Sequence, residues 1–191
     1  MKTFDRILVR GADTVGSFVL ATPFYRELRK NFPKSYIVLC IKPLVYELAK
    51  KCPYVDKVIV YSSNFLENIK TFKKENFDTV FLISGSFASA LSCFFAGIKN
   101  RVGYAHDKRG FLLTKKIVEK EKKHYVDYIL NILESEGLKI NDRKTDIYVE
   151  ETKTAFDNLF VVKKNVIGLN LTVVGEPARN WPKEYALELI Q

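Results

Sequence analysis

Glycine and proline are scarce in this chain, nine and six among 191 residues. That is too little turn chemistry for a many-stranded all-β protein. Low-complexity segments are absent, and 47% hydrophobic with 28% charged residues is the balance of a globular protein, not a disordered or fibrous one. Cysteine is sparse. Cys40, Cys52 and Cys93 form no C-x-x-C pair, and each sits among apolar neighbours where a thiol behaves as a small hydrophobe. A reduced, cytosolic compartment is therefore expected. Only two histidines occur, His106 and His124, and neither has metal-ligand spacing to a cysteine, so no metal site is expected. Asp5, Arg6 and Arg10 interrupt the first apolar stretch and leave no unbroken signal-peptide core.

Charge is missing altogether from Thr79 to Ile98, a run long enough to span a bilayer. Its pattern argues against spanning. TVFLISG reads as a buried strand ending in a turn, and SFASALSCFFAG as a helix whose Ser and Ala make it a weak spanner.

What is present is an alternation of short apolar runs and helical patterns. FDRILVR at 4–10 begins with a strand, and Gly11 to Gly16 bound a loop. Phe18, Ala21, Tyr25, Leu28 and Phe32 then recur on one helical face, with Arg26, Glu27, Arg29 and Lys30 mostly off it. Pro23 allows two starts for this helix: a loose first turn before it, or Thr22 as cap with proline at the first helical position. Strands are expected at 35–41, 57–61, 79–83 and 101–104, with helices at 43–52, 65–75 and 87–97 between them. Unbroken apolar strands separated by helices imply a parallel sheet covered on both faces, an α/β doubly wound domain. A basic loop, an amphipathic helix stopped by Gly137 and a strand at 146–151 complete a first domain, 1–150. The pattern restarts with a strand at 166–170 and a helix that opens at Pro182 and still runs at Gln191. Residues 151–191 thus read as a connection and the start of a second α/β unit, and the chain as the front part of a longer protein.

Ligands of parallel α/β sheets gather at the carboxyl ends of the strands, so the first βα loop, RGADTVGS, is the primary candidate site. Ser17 and Phe18 stand where a nucleotide-triphosphate loop needs Lys and Ser or Thr, and the G-x-G-x-x-G fingerprint fails as well. What remains is either an anion-binding helix N-terminus or glycines that only permit a tight turn.

Taken together, ILVRGADTVGSFVLATPFYRELRKNFP, CPYVDKVI, FLISGSFASALSCFFAGIKNRVGY, RGFLLT, HYVDYILNILESEGL and IGLNLTVVGEPARNWPKEYALELI resemble glycosyltransferase family 9, the ADP-heptose:lipopolysaccharide heptosyltransferases. The resemblance implies a GT-B architecture of two Rossmann-like domains, of which this chain carries the first and the start of the second. It also implies an inverting, metal-independent and cofactor-free transfer from a nucleotide-sugar donor such as ADP-heptose to a lipopolysaccharide core or similar anionic glycan. The family places an Asp base directly after the loop's second glycine. Here that position is Ser17, whose neutral hydroxyl cannot act as a carboxylate does, and Asp13 is the nearby candidate substitute. Thr14 and Gly16, together with Lys108 and Arg109, are the expected acceptor contacts, and Thr172 and Arg179 the expected donor contacts.

Basic residues exceed acidic ones, 31 against 22, for a net charge of +9, which favours polyanionic partners. Residues 99–124 hold nine Lys and Arg against three Asp and Glu, so the excess is clustered. Such a segment suits an anionic saccharide acceptor at the cytoplasmic face of the inner membrane, and equally a solvated charge run. Two other functions stay open: a non-catalytic saccharide-binding relative that has lost its base, and a basic nucleic-acid-binding domain. The latter lacks aromatics spaced to stack bases, so no nucleic acid is expected.

Overall fold

The computed structural model describes residues 4–83, 86–119, 121–148, 169, 171 and 180–190. The chain divides into two compact units, Met1–Glu150 and Glu151–Gln191. In the second unit one described helix stands out, Lys183–Ile190, which follows Pro182 directly. The strand expected at 166–170 lies outside the described residues, apart from Leu169.

The first unit is an all-parallel six-stranded sheet with strand order β3-β2-β1-β4-β5-β6. Its strands are β1 (Arg6–Arg10), β2 (Tyr36–Ile41), β3 (Lys57–Val60), β4 (Thr79–Leu82), β5 (Asn100–Tyr104) and β6 (Lys115–Ile117). The helices are α1 (Val15–Asn31), α2 (Pro43–Ala49), α3 (Phe65–Glu75), α4 (Phe87–Phe95) and α5 (Tyr125–Glu134), with one tight helical turn at Arg109–Leu112. The order is that of a Rossmann-like doubly wound sheet, and its topological switch lies between β1 and β4.

Strand alternation sorts the apolar residues onto two faces. Ile7, Val9, Ile37, Leu39, Phe81 and Val102 pack with Phe18, Phe24 and Leu28 of α1 and with Val126, Ile129 and Leu133 of α5. Leu8, Val38, Cys40, Val80 and Leu82 pack on the opposite face with Phe72 of α3 and with Ala90 and Cys93 of α4. The three thiols are unpaired and buried, and burial pushes Cys40 up to about 12 and Cys52 up to about 11.

Several sequence expectations are corrected. Helix α1 is continuous from Val15, capped by Thr14, with Pro23 inside it rather than at its start. Pro23 offers no N–H to the Val19 carbonyl four residues earlier, and the Thr22 hydroxyl donates to that carbonyl instead, at 2.8 Å. Arg26 and Glu27, read as mostly off the apolar face of α1, are buried nonetheless. The described part of the expected strand at 146–151 forms no ladder. Residues 139–148 instead run over α1 as a strap that supplies the partners those buried charges need. Arg26 reaches Asp146 Oδ2 at 2.6 Å and the Lys144 carbonyl at 2.7 Å. Glu27 accepts from Lys30 Nζ at 2.8 Å and from the Asn141 N–H at 2.8 Å. Finally, β6 lies within the segment read as a basic loop, because two lysines in a three-residue edge strand hide its apolar signal.

Candidate functional site

Gly11 ends β1 under tight constraint: a Cβ there would meet Leu39 Cδ1 at 2.7 Å and Ile41 Cγ2 at 3.0 Å. The chain turns at this point, and Asp13 is drawn back toward the sheet edge. Arg10, 1% exposed, pairs with the Asp13 carboxylate at 2.8 Å, donates to the Gly11 carbonyl at 2.9 Å and lies over the Tyr61 ring at 4.3 Å. Lys42, just past β2, approaches the other Asp13 oxygen at 3.6 Å. The candidate substitute base is thus flanked by two cations that anchor the loop.

Thr14 caps α1: its Oγ1 accepts from the Ser17 N–H at 3.4 Å and donates to Ser17 Oγ at 2.9 Å. Ser17 also bonds the Tyr125 hydroxyl at the start of α5, a contact that partly offsets the upward push that burial exerts on that phenol. Gly16 is exposed, and a Cβ built on it meets nothing within 4 Å. The first turn of α1 therefore presents open backbone beside the Ser17 hydroxyl, with the positive end of the helix dipole behind it.

A cavity of about 530 Å³ adjoins this loop at the carboxyl ends of β2 and β3, lined by Lys42, Tyr61, Ser62, Ser63, Phe65 and Asn68 among others. Buried Asn68 shapes its wall by accepting from the Ser62 N–H at 2.9 Å and donating to the Ser62 carbonyl at 2.8 Å. A larger cavity, about 610 Å³, opens at the amino edge near Phe4, Ser35 and Leu138 and holds none of the candidate residues.

On the other side of α1 an aromatic ladder continues from Tyr125. Tyr125 and Tyr128 are 6.1 Å apart, Tyr128 and Tyr104 stack at 3.9 Å, and His106 stacks on Tyr104 at 5.6 Å. His106 Nε2 meets the Tyr128 hydroxyl at 2.9 Å and Glu119 at 3.5 Å. His124 caps α5, its Nδ1 accepting from the Val126 N–H.

The structure brings Asp13, Thr14, Gly16 and Ser17 together at the switch point. Lys108 and Arg109 lie past β5 and differ from each other. Lys108 is exposed and holds a left-handed conformation, φ 58°. Arg109 is 1% exposed, and its Nε donates to the Tyr104 carbonyl at 2.8 Å. Its charge serves the fold of the β5 loop, not the open surface. Thr172 and Arg179 lie outside the described residues. Sequence reasoning missed Lys42, Tyr61, Asn68 and Tyr125. The signal was available for two of them, since Lys42 and Tyr61 directly follow strands whose carboxyl ends form the binding edge.

Comparison with known proteins adds the following. The family described as glycosyltransferase family 9 (heptosyltransferase) matches residues 66–191. Lipopolysaccharide heptosyltransferase 2 of Escherichia coli is 28% identical over 125 residues, covering 61% of this chain and 36% of that protein. The chain therefore spans just over a third of that relative's length. The solved structure of E. coli ADP-heptose lipopolysaccharide heptosyltransferase II superposes with a TM-score of 0.77 at 24% identity, covering 97% of this chain and 61% of the other. That of a Veillonella parvula family 9 glycosyl transferase gives 0.80 at 20% identity, covering 98% and 58%. At those identities the likeness is one of fold, and it extends over nearly all of the chain.

Proposed function

The chain belongs to glycosyltransferase family 9, and from that premise we propose that it takes part in glycosyl transfer in lipopolysaccharide biosynthesis, with the Met1–Glu150 unit binding the acceptor. The donor is a nucleotide sugar such as ADP-heptose, held mainly by the second unit, where Thr172 and Arg179 are the proposed contacts. The acceptor is the lipopolysaccharide core or a similar anionic glycan. Transfer is inverting and needs neither metal nor cofactor, and it takes place on the cytoplasmic side of the inner membrane.

The observation that carries this reading is the convergence of an open helix N-terminus, Lys42 and a hydroxyl-lined cavity at one sheet edge. A saccharide bearing phosphate or carboxylate groups matches such an edge: Lys42 and the N–H groups at the start of α1 meet its anions, and Ser63 offers a partner to its hydroxyls, while the Ser62 hydroxyl is held by Glu67 and Asn64. Gly16 leaves room for it to approach Ser17. Lys108, exposed past β5, adds a further cation for the acceptor; Arg109 contributes by holding that loop.

Attack on the donor's anomeric carbon requires the acceptor hydroxyl to lose a proton, and general-base help contributes roughly 10²–10⁴-fold. One observation favours a second reading, a non-catalytic saccharide-binding relative: Ser17 is bonded to Thr14, and Asp13 is engaged by Arg10 and Lys42. Single-turnover sugar transfer by the wild type, Ser17→Asp and Asp13→Ala separates the two. If Asp13 is the base, Asp13→Ala abolishes transfer and Ser17→Asp raises it. Transfer that is absent from the wild type and restored by Ser17→Asp identifies the non-catalytic relative. Robust wild-type transfer that ignores both changes would require a base elsewhere.

A further inference from the structure

The two histidines of the chain converge on one helical turn. His124 is the N-cap of α5, where its Nδ1 accepts from the Val126 N–H at 3.4 Å, and His106, past β5, brings its Nε2 to the Tyr128 hydroxyl at 2.9 Å. Tyr125 to Tyr128 make up the first turn of α5, so each imidazole is bonded to that turn through a ring nitrogen. Neither bond takes part in the α1 loop or in the cavity at Lys42.

An imidazole nitrogen accepts a hydrogen bond only while it carries no proton. The cap at His124 therefore requires a lone pair on Nδ1 and the ring proton on Nε2. Protonation turns Nδ1 into a donor facing the Val126 N–H, which breaks the cap, and sets a positive charge against the positive end of the helix dipole. Serine, threonine and asparagine, the commoner caps, keep their acceptor at every pH; histidine does not. Burial pushes the Tyr128 phenol up, so it stays protonated and donates to a neutral His106 Nε2. A charged His106 has a better partner in Glu119 Oε2, 3.5 Å from the same nitrogen and carried by the segment after β6. Added protons thus draw both histidines away from α5.

The charges around the two rings do not undo this. Lys122 and Lys123 precede His124 and are exposed, as is His124 itself, and Lys123 lies 3.9 Å from Glu121. Asp127, at the third position of the helix, would otherwise reach back to the cap, but its carboxylate is held by Arg143 of the strap at 3.0 Å. Opposite the turn, the α1 loop offers Asp13, which is paired with Arg10. His106 has Asp107, Lys108 and buried Arg109 on its own loop, Tyr104 of β5 stacked against it, and Glu119 across from it. Glu119, Glu121 and Lys123 line a cavity of about 270 Å³ with Tyr128, and the His106 and Glu119 side chains are partly exposed, so protons reach both rings from solvent.

We propose that the first turn of α5 is a pH-sensitive clasp: neutral His124 and His106 hold it, and their protonation in mild acid, roughly pH 5 to 6, releases it. Because the folded turn needs neutral rings, its stability is fullest above neutrality and is lost as pH falls. Tyr125, which opens the turn, bonds Ser17. Release of the clasp therefore reaches the α1 loop, whatever chemistry that loop performs, and the clasp itself stands independently of sugar transfer.

The test is amide hydrogen exchange of the chain followed by NMR at about pH 7.5 and about pH 5.5, corrected for intrinsic exchange, with amides of β2 as internal reference. The Tyr128 N–H, which donates to the His124 carbonyl at 2.9 Å, reports the turn. In the wild type its protection falls about threefold to thirtyfold in acid, beyond any fall in the reference. His124→Asn keeps a cap at both pH values, and together with His106→Gln it abolishes the fall. His124→Ala lowers protection near neutrality to the acid level. The ring nitrogen shifts of His124 read its tautomer in the wild type, independently of any variant, and place the proton on Nε2 near neutral pH. Equal protection of the wild-type turn at both pH values overturns the proposal, as does a fall that survives in the folded double variant. A His124 ring protonated on Nδ1 near neutral pH overturns it as well.

Discussion

The two faces of the sheet are closed by opposite means. On the α1 side, charged residues are drawn inward: Glu27 is fully buried and Arg26 nearly so, because the strap at 139–148 covers them and returns a hydrogen bond to each. On the α4 side, small residues lie inward and aromatic rings outward, with no described segment laid over them. The difference shows that the chain can bury charge where it supplies its own cover, and leaves the bulkier face of α4 open elsewhere. The α4 arrangement has a packing consequence. Small side chains, Ala90 and Cys93, meet Leu8, Val38, Cys40, Val80 and Leu82 of the sheet, and such residues let a helix sit close to it.

The comparison breaks most visibly if one phenylalanine is removed from each side. Phe24 is fully buried against Phe81 and Tyr25, and Phe24→Ala should cost about 3–5 kcal/mol in denaturant unfolding. Phe95→Ala, from the open face of α4, should stay within about 0.5 kcal/mol. A large loss at Phe95 would mean that this face is covered in solution.

A smaller effect probes the buried charge. Burial alone would raise the Glu27 carboxyl, but hydrogen bonds from Lys30 and Asn141 outweigh it and hold the group below its ordinary value of 4.5. The folded state therefore gains from ionised Glu27 above its unfolded value. That gain disappears as pH falls through the lowered folded value. Glu27→Gln should cost about 1.5–3 kcal/mol at neutral pH, and the gap from wild type should narrow in acid. Parallel stability curves for the two proteins across the acid range would contradict the assignment.

Much of the fold was legible because parallel strands buried on both sides leave unbroken apolar runs, as at Tyr36–Ile41 and Thr79–Leu82. The stripe Phe18, Ala21, Tyr25, Leu28 and Phe32 was legible for the same kind of reason and is buried throughout. Arg26 and Glu27 were not, since their burial depends on partners more than a hundred residues away. In α4 no charge marks an outer side, so periodicity cannot choose which stripe faces the sheet. The loop at the site was found from strand order and glycine spacing. Lys42 and the buried role of Arg109 depend on how separate strand ends meet, which no local pattern records.

The smallest contrast separates two glycines of one loop. Gly11 and Gly16 are equivalent in sequence terms, yet Gly11 faces packed side chains and Gly16 faces open space. Gly11→Ala forces Leu39 and Ile41 to move and should destabilise the unit by about 1–3 kcal/mol. Gly16→Ala should leave stability nearly unchanged, because no neighbour resists the methyl group and alanine is the better helix former. Acceptor binding reverses their rank. If an anionic saccharide approaches the α1 N-terminus, the methyl group at position 16 stands between it and the Ser17 hydroxyl. Gly16→Ala should then weaken binding of a phosphorylated core oligosaccharide about tenfold in calorimetric titration, whereas folded Gly11→Ala should bind nearly as the wild type does. Equal affinity for wild type and Gly16→Ala would move the acceptor off this turn and toward the cavity at Lys42 and Tyr61, where substitution of Lys42 would become the deciding measurement.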